Sequence, residues 1–494
     1  MATKVIPAQD SPHLRTNCLN FWEVWAQAIA LISPTMTAAL IVPVMFGSAG
    51  VGSWAAYLFG TVMLLFVAFN LNHFARRSTS AGSMYAYTSR GLGPTAGGVA
   101  GWCLIWAYLF IGIAGLTGFT NFANILLGMM HVHLPLTILF GVCALVAWYI
   151  SYKDIQVSTI LMLILEGVSV ALILVLTFIV LFKHGAPIDH AQMTLHGIKL
   201  KDMGLGVVIA IFSLVGFECA TAFGEETKNP LRTIPRAVIW SLLATGLFFV
   251  VVSYMEVYGL RNYKTTLDQL AAPLNDLADL NGVGWLKIPV SLGAMISFFS
   301  LALSCMNAGA RILYPMGRHG VFPKAVGRSH DRHETPHVAV TIMAAAMFVI
   351  AACIYGRHGA VLDVFNWAGT YGAFGFLAGY FFITVAAPFY LKKEGTLTAG
   401  NIALAVVTIL FLLVPAVGSV YPVPAPPVNY FPYVFLGYFA VGVAWFLMLR
   451  KRSPEAVQEI ERDIEDTHGR FGYSAGDPAP ALTVSGDPEP VAVG

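Results

Sequence analysis

Two carboxylates stand inside apolar sequence, Glu166 in LMLILEGVSV and Glu218 in IFSLVGFECA. An acid in such surroundings can do two kinds of chemistry. It can gain and lose a proton as its site alternates between dry and wet, or it can stay fixed and accept hydrogen bonds from backbone or a neighbouring helix. Glu218 follows Gly216 by two residues, so it can reach backbone freed by a helix break there. Proton-linked gating and bracing of the break are both open for Glu218. Proton carriage and pairing with another helix are both open for Glu166.

The residues around Glu218 have a counterpart near the start of the chain. ALISPTMTAAL (Ala30–Leu40) puts Pro34 inside an apolar run, with Ser33, Thr35 and Thr37 as local hydrogen-bonding groups. Proline lacks an amide hydrogen and clashes with the preceding turn, so the helix must kink or break. FSLVGFE (Phe212–Glu218) has Gly216 as its weak point. Backbone freed from helical bonding cannot face lipid and must line a cavity or a wet site. Either break alone reads equally well as a kink. Two of them, opening corresponding halves of the chain, point instead to a central binding site of a transporter. Half-helix N-termini offer amides suited to a carboxylate, and exposed carbonyls at the other half-ends suit an ammonium group. An amino acid carries both.

The elements that must position these residues are membrane helices. The 494 residues are 57% hydrophobic and 11% charged, against about 25% charged in soluble domains. Runs long enough to cross about 30 Å of hydrocarbon fall near 22–47, 52–74, 97–127, 134–151, 155–182, 203–224, 234–258, 285–315, 336–354, 362–390, 400–419 and 431–449. Twelve spans put both termini on one side. Loops on that side carry Lys4, Arg15, Arg76, Arg77, Arg90, Lys153, Lys228, Arg232, Arg236, Arg318, Lys324, Arg328, Arg332, Lys392, Lys393 and Arg450–Arg452. The other side holds Lys183, Lys199, Lys201, Arg261, Lys264, Lys287 and Arg357. The bias marks the termini as cytoplasmic.

The domain reading is a cytoplasmic segment 1–20, a transmembrane domain 21–450 and a largely disordered cytoplasmic tail 451–494 that opens on one amphipathic helical piece. The Asp/Ala/Leu content of the external loop 259–283 predicts short surface helices. Six scattered cysteines lack metal-ligand or disulfide-framework spacing. His73, His184, His190 and His196 fall at span ends or outside them, as solvated surface. No metal, cofactor or nucleic-acid partner is expected, and oligomeric state is open.

Three blocks resemble the amino acid–polyamine–organocation transporters: GFECATAFGEETKNPLRTIPRA with their sixth helix, AGSMYAYTSRGLGP (Ala81–Pro94) with the entry to their third, and NAGARILYPMGRHGVFPKAVGRSHDRHETPHVAV (Asn307–Val340) with the end of their eighth. The resemblance covers about 20–450. It implies an all-α polytopic fold, a five-plus-five inverted repeat with broken helices one and six and two added helices, working by alternating access. By the same resemblance the substrate carboxylate meets Ile32, Ser33, Pro34, Thr35 and Met36, where SPT replaces the usual small-residue pattern. The amine meets carbonyls of Phe212, Ser213 and Val215 beside Gly216, with Phe212 as an aromatic lid. Tyr108, Gly112 and Cys305 correspond to pocket positions. Aromatic residues of FNWAGTYGAFGF (Phe365–Phe376) either gate the pocket or pack. Many relatives carry a lysine at the position of Glu166 in place of a sodium ion; here that coupling scheme does not transfer.

The charged residues Glu225, Glu226, Lys228, Arg232 and Arg236 are expected to pair with Arg76, Arg77, Arg90 or Arg318 across an inner gate, or to serve only as topology signals. The leading reading is an amino acid permease, proton-coupled or exchanging. An amine or polyamine permease of the same fold is the alternative. A channel would need a continuous polar lining, a sensor a folded cytoplasmic domain, and an enzyme a nucleophile–base or metal pair; the sequence offers none of them.

Overall fold

The computed structural model describes residues 14–78, 82–183, 188–195, 197–270, 272–421 and 423–453, together with 455, 460 and 462. The expected segment 1–13, His184, His196 and the tail from 463 lie outside the described residues. Among the described residues the chain is helical, with one isolated parallel bridge between Leu19 and Thr227 and no sheet.

Asn20 starts the first helix, α1 (Phe21–Ile32). Its side chain accepts the Trp22 and Glu23 amides, and Glu23 accepts the Asn20 amide in return, which satisfies three otherwise orphaned donors. Next come α2 (Pro34–Met36), a widened π-helical turn (Thr37–Ile41) and α3 (Val42–Ala49). The chain turns at Gly50, in the left-handed half of backbone space (φ 52°), into α4 (Ser53–Ala75). The following helices are α5 (Met84–Leu92), α6 (Pro94–Met129), α7 (Leu136–Lys153), α8 (Ile155–Lys183), α9 (His190–Met193) and α10 (Leu200–Leu214). After the sixth-span break come α11 (Pro230–Gly259), α12 (Pro273–Leu280), α13 (Lys287–Arg318), α14 (His337–His358), α15 (Val361–Lys393), α16 (Ala399–Gly418) and α17 (Phe431–Arg452).

Eleven apolar helical runs among the described residues are long enough to cross a membrane, and this is a multi-pass membrane protein. Ten correspond one for one to sequence-predicted spans. The eleventh, Phe21–Ala75, is a 55-residue run that covers two of them. The loop expected to hold short surface helices contains α12, which buries Pro273, Leu274, Leu277 and Ala278 and leaves Asp279 and Leu280 exposed.

The centre is built by α6, α13 and α15, with α1 and α10 beside them. Small residues let these helices approach closely. A side chain at Gly115 would meet the Ala302 amide nitrogen at 2.8 Å, and one at Gly375 would meet the Cys103 carbonyl at 2.5 Å. In a lipid solvent, where apolar burial gives little drive, such close backbone packing holds helices together. Helices α16 and α17 lie outermost and keep most of their apolar side chains exposed.

Candidate functional site

Both expected breaks are present, and they touch. Ser33 adopts a left-handed conformation (φ 51°, ψ 76°) and closes α1 by donating its amide to the Ile29 carbonyl at 2.9 Å. Pro34 then starts α2 with no side-chain cap. At the second break α10 stops at Leu214, Val215 is extended (ψ 150°), Gly216 is left-handed (φ 105°) and a 3₁₀ turn runs over Phe217–Ala222. A Cβ on Gly216 would lie 2.0 Å from Leu31 Cδ2 in α1. Glycine is needed there twice, for its dihedral angle and for the contact between breaks.

Glu218 faces inward, fully buried. Its Oε2 accepts the Tyr380 hydroxyl at 2.6 Å and the Gly216 amide at 3.1 Å, and Oε1 accepts the Tyr108 hydroxyl at 3.3 Å. Three donors from α6, α15 and the break itself converge on one carboxyl. Thr221 donates back to the Glu218 carbonyl at 2.7 Å. Buried polar groups in low dielectric are costly unless satisfied, and this one is satisfied.

Glu166 lies on α8 and reaches the other break. Ser297 of α13 donates to Glu166 Oε1 at 2.6 Å, and the same hydroxyl lies 3.2 Å from that of Ser33. The Thr35 and Ser169 hydroxyls are 2.6 Å apart, and Ser169 donates to the Gly293 carbonyl at 2.9 Å. Glu166 also lines a cavity of about 150 Å³ with Trp25, Ile29, Pro34 and Phe248.

The remaining expected site residues divide. Ile32, Pro34, Thr35, Met36, Ser213 and Val215 are buried around the two breaks. The Ser213 hydroxyl donates to the Ile209 carbonyl at 2.9 Å. Phe212 is half-buried, with its ring edge-on to Phe374 of α15 at 6.5 Å. Tyr108 packs edge-on against Phe376 at 5.2 Å while its hydroxyl meets Glu218. Gly112 and Cys305 come together, but on a closed face: a Cβ on Gly112 would meet Met347 Cε of α14 at 2.4 Å and Cys305 Cβ at 3.1 Å. Of the aromatic residues in FNWAGTYGAFGF, Tyr371 stacks on Phe431 at 4.1 Å and accepts the Trp106 indole N–H on its carbonyl.

For Glu226 the charge pairing differs from the expected one. Glu226 pairs not with a loop arginine but with Arg311 inside α13. Arg311 Nε donates to Oε2 at 2.5 Å and Nη2 to Oε1 at 2.6 Å, and the guanidinium lies over the Phe223 ring at 4.5 Å. The Glu226 carbonyl accepts the Cys18 and Leu19 amides, each at 2.9 Å. Cys18 lies outside the membrane spans, and burial first, then the Glu226 carboxylate, push its thiol up to about 11. Arg311 stands in NAGARILYPMGR, and its signal was available: a cation in the apolar part of a helix asks for a partner. Gln27 was also missed. It donates to the Ser304 carbonyl and hydroxyl at 3.1 and 2.9 Å, joining α1 to α13.

The sequence model of the amino acid permease family matches residues 23–454. The chain belongs to that family. Among similar proteins, the branched-chain amino acid permease BcaP of Bacillus subtilis is 24% identical over 59% of this chain and 65% of its own length. The low-affinity putrescine importer PlaP of Escherichia coli is 26% identical over 59% of this chain and 65% of its own. The methylthioribose transporter of Bacillus subtilis is 23% identical over 78% of this chain and 83% of its own. The chain thus spans about two thirds of the length of the first two relatives. The family places it in the amino acid–polyamine–organocation superfamily, among transporters rather than enzymes.

Proposed function

We propose that this permease moves amino acids across the cytoplasmic membrane by alternating access, with the substrate held between the two broken helices. The observation that carries this reading is the contact of Gly216 with Leu31, which brings the start of α2 and the end of α10 to one place. The uncapped first turn of α2 suits a carboxylate, and the carbonyls at the end of α10 suit an ammonium. Ile32–Met36 and Phe212–Gly216 are the substrate contacts, with Tyr108 beside them. Gly112 and Cys305 would shape the pocket wall from behind.

The 55-residue run Phe21–Ala75 would be about 82 Å long as one helix at 1.5 Å per residue. That is more than twice a bilayer core. With a reversal at Gly50 it makes two crossings, giving twelve spans and both termini on the side of the arginine-rich loops, the cytoplasm. Five-helix halves opening on the α1 and α10 breaks then form the inverted repeat.

A diamine or polyamine is the second reading, favoured by the putrescine importer among the relatives. A diamine needs a carboxylate for its second cation. Glu218 already accepts three hydrogen bonds, which favours a neutral amino acid. We read Glu218 as the brace of the second break rather than as a proton switch. Transport is proton-coupled or exchanging, without sodium. Uptake and counterflow of labelled amino acids and amines in proteoliposomes test this. At least one amino acid should accumulate or exchange, unchanged when potassium replaces sodium. No uptake and no counterflow across the panel would reject the reading.

A further inference from the structure

Glu256 is a third acid in apolar sequence, in FFVVVSYMEVYG near the end of α11. Its side chain is fully buried, and neither carboxyl oxygen has a hydrogen-bond partner. This separates it from the other two acids. Glu218 accepts three donors and Glu166 accepts one.

Its surroundings define what it can do. Glu256 stands one turn before Gly259, where a Cβ would meet Leu277 of α12 at 2.5 Å and Val180 of α8 at 3.2 Å. Helix α12 packs on α11 and on the Thr37–Ile41 turn, so the 260–286 loop covers this end of α11. From α4, Tyr57 lies beside both Glu256 and Ser213. Its ring packs on Phe249 at 5.3 Å. Thr37 Oγ1, in the turn that also packs on α11, has no hydrogen-bond partner.

Most charged groups of the surrounding elements have other partners. Lys183 of α8 donates to the Asn281 carbonyl at 2.7 Å, and Asp279 of α12 pairs with Lys287 at 2.6 Å. Asp276 of α12 accepts the Tyr263 hydroxyl at 3.3 Å. Asp189 pairs with Arg261 at 2.8 Å and gives its amide to the Tyr254 hydroxyl of α11. Asp202 of α10 accepts the Lys199 amide, and Asp268 packs on Gly47 of α3. On α8, Glu166 is held by Ser297. Among the described residues no cation forms an ion pair with Glu256. An anion with neither donor nor counter-ion is the costliest state a membrane interior can hold. A neutral carboxyl fits this closed arrangement; the anion fits only one that admits water.

We propose that Glu256 is a proton-binding site of the transport cycle, exchanging its proton only when the α12 side opens to water. The carboxylate takes a proton from hydronium and leaves water; release reverses the step. Tyr57 neighbours both Glu256 and Ser213, and Ser213 stands at the broken end of α10 where the substrate ammonium is expected. The inference rests on the transporter reading for its coupling role, but protonation of Glu256 does not depend on substrate identity.

The test is Glu256→Gln in proteoliposomes, compared with the parent. The neutral isostere keeps size and shape. Exchange of labelled substrate at equal pH on both sides is expected to persist, while stimulation of uptake by an inward proton gradient is lost. Full gradient stimulation in the variant would overturn the proposal. A second measurement needs neither transport nor a folded variant: carbodiimide labelling of the parent protein, mapped by mass spectrometry. Glu256 should be modified at acidic pH with labelling falling as pH rises; labelling that does not vary with pH, or none at any pH, would overturn it. If the parent takes up nothing but Glu256 labels as expected, the transporter reading fails and the proton site stands.

Discussion

Arg311 and Glu226 form a two-pronged ion pair with only 1% of each side chain exposed. The same glutamate holds the Cys18 and Leu19 amides on its carbonyl. One residue therefore ties the segment before α1 to α13, at the end where the sequence leads one to expect an inner gate. Removing one partner of a buried pair leaves the other charge uncompensated, at a cost of about 3–5 kcal/mol. Glu226→Gln and Arg311→Met are each expected to lower the unfolding temperature in detergent, and the double variant is expected to lose less than the two losses added. Strict additivity would mean that the pair is not coupled.

Cys18 reports on the same closure. Its thiol is buried and shifted up to about 11, so the reactive thiolate is scarce at neutral pH. Maleimide should label Cys18 slowly in the parent and faster in Glu226→Gln, where burial is loosened and the neighbouring negative charge is gone. Raising the pH toward 11 should speed labelling in the parent. Equal rates in parent and variant would separate Cys18 from the Arg311–Glu226 closure.

Glu218→Gln tests whether the acid braces or titrates. The amide oxygen can still accept Tyr380 and Gly216, while the NH2 that replaces Oε1 only donates, so the Tyr108 hydroxyl must turn to accept it and the charge is gone. As a brace, the variant keeps the parent's pH profile for transport, with lower stability from one weakened charge-assisted bond of about 1.5–3 kcal/mol. Loss of pH dependence with substrate binding intact would make Glu218 the proton switch instead.

Both breaks were legible in the sequence because proline and glycine act through local backbone rules that need no tertiary information. The span positions were legible for a similar reason: length and hydropathy suffice when the solvent is lipid. Pairing across the fold was not. Arg311 and Glu226 are 85 residues apart, and only packing decides that Glu226 turns inward while Glu225 does not. Gly112 and Cys305 are adjacent, but sequence spacing does not tell that Met347 closes that face. Glu256 went unread although its apolar context matched that of Glu166, since it stands two residues before the end of the predicted span 234–258, where a solvated acid is ordinary.

Gly216→Ala isolates the contact between breaks. Alanine adds one methyl group, which must sit 2.0 Å from Leu31 Cδ2 at a backbone angle of φ 105°. The left-handed region costs a non-glycine residue about 1–2 kcal/mol before any clash is counted. Gly216→Ala should abolish transport and lower thermal stability. Adding Leu31→Ala removes the clash and should return part of the stability but not that part owed to the backbone angle. Wild-type uptake in the single variant would remove the contact between the breaks from the proposed site.

Phe212 is the residue whose two readings the geometry leaves closest together. Its ring is half-buried, as a lid over a site would be, and it touches Phe374, which stacks on Phe435 of the peripheral α17 at 5.8 Å. An aromatic lid contributes burial and cation–π attraction to an ammonium of about 0.5–2 kcal/mol. A core phenylalanine cut to alanine costs about 3–5 kcal/mol of stability, and a half-buried one costs less. The two roles therefore separate when affinity and melting are read together. As a lid, Phe212→Ala should raise the substrate KM several-fold while the unfolding temperature moves little. Phe212→Trp, which keeps an aromatic face, should restore affinity. An unchanged KM alongside a large fall in melting temperature would assign Phe212 to the packing between α10, α15 and α17.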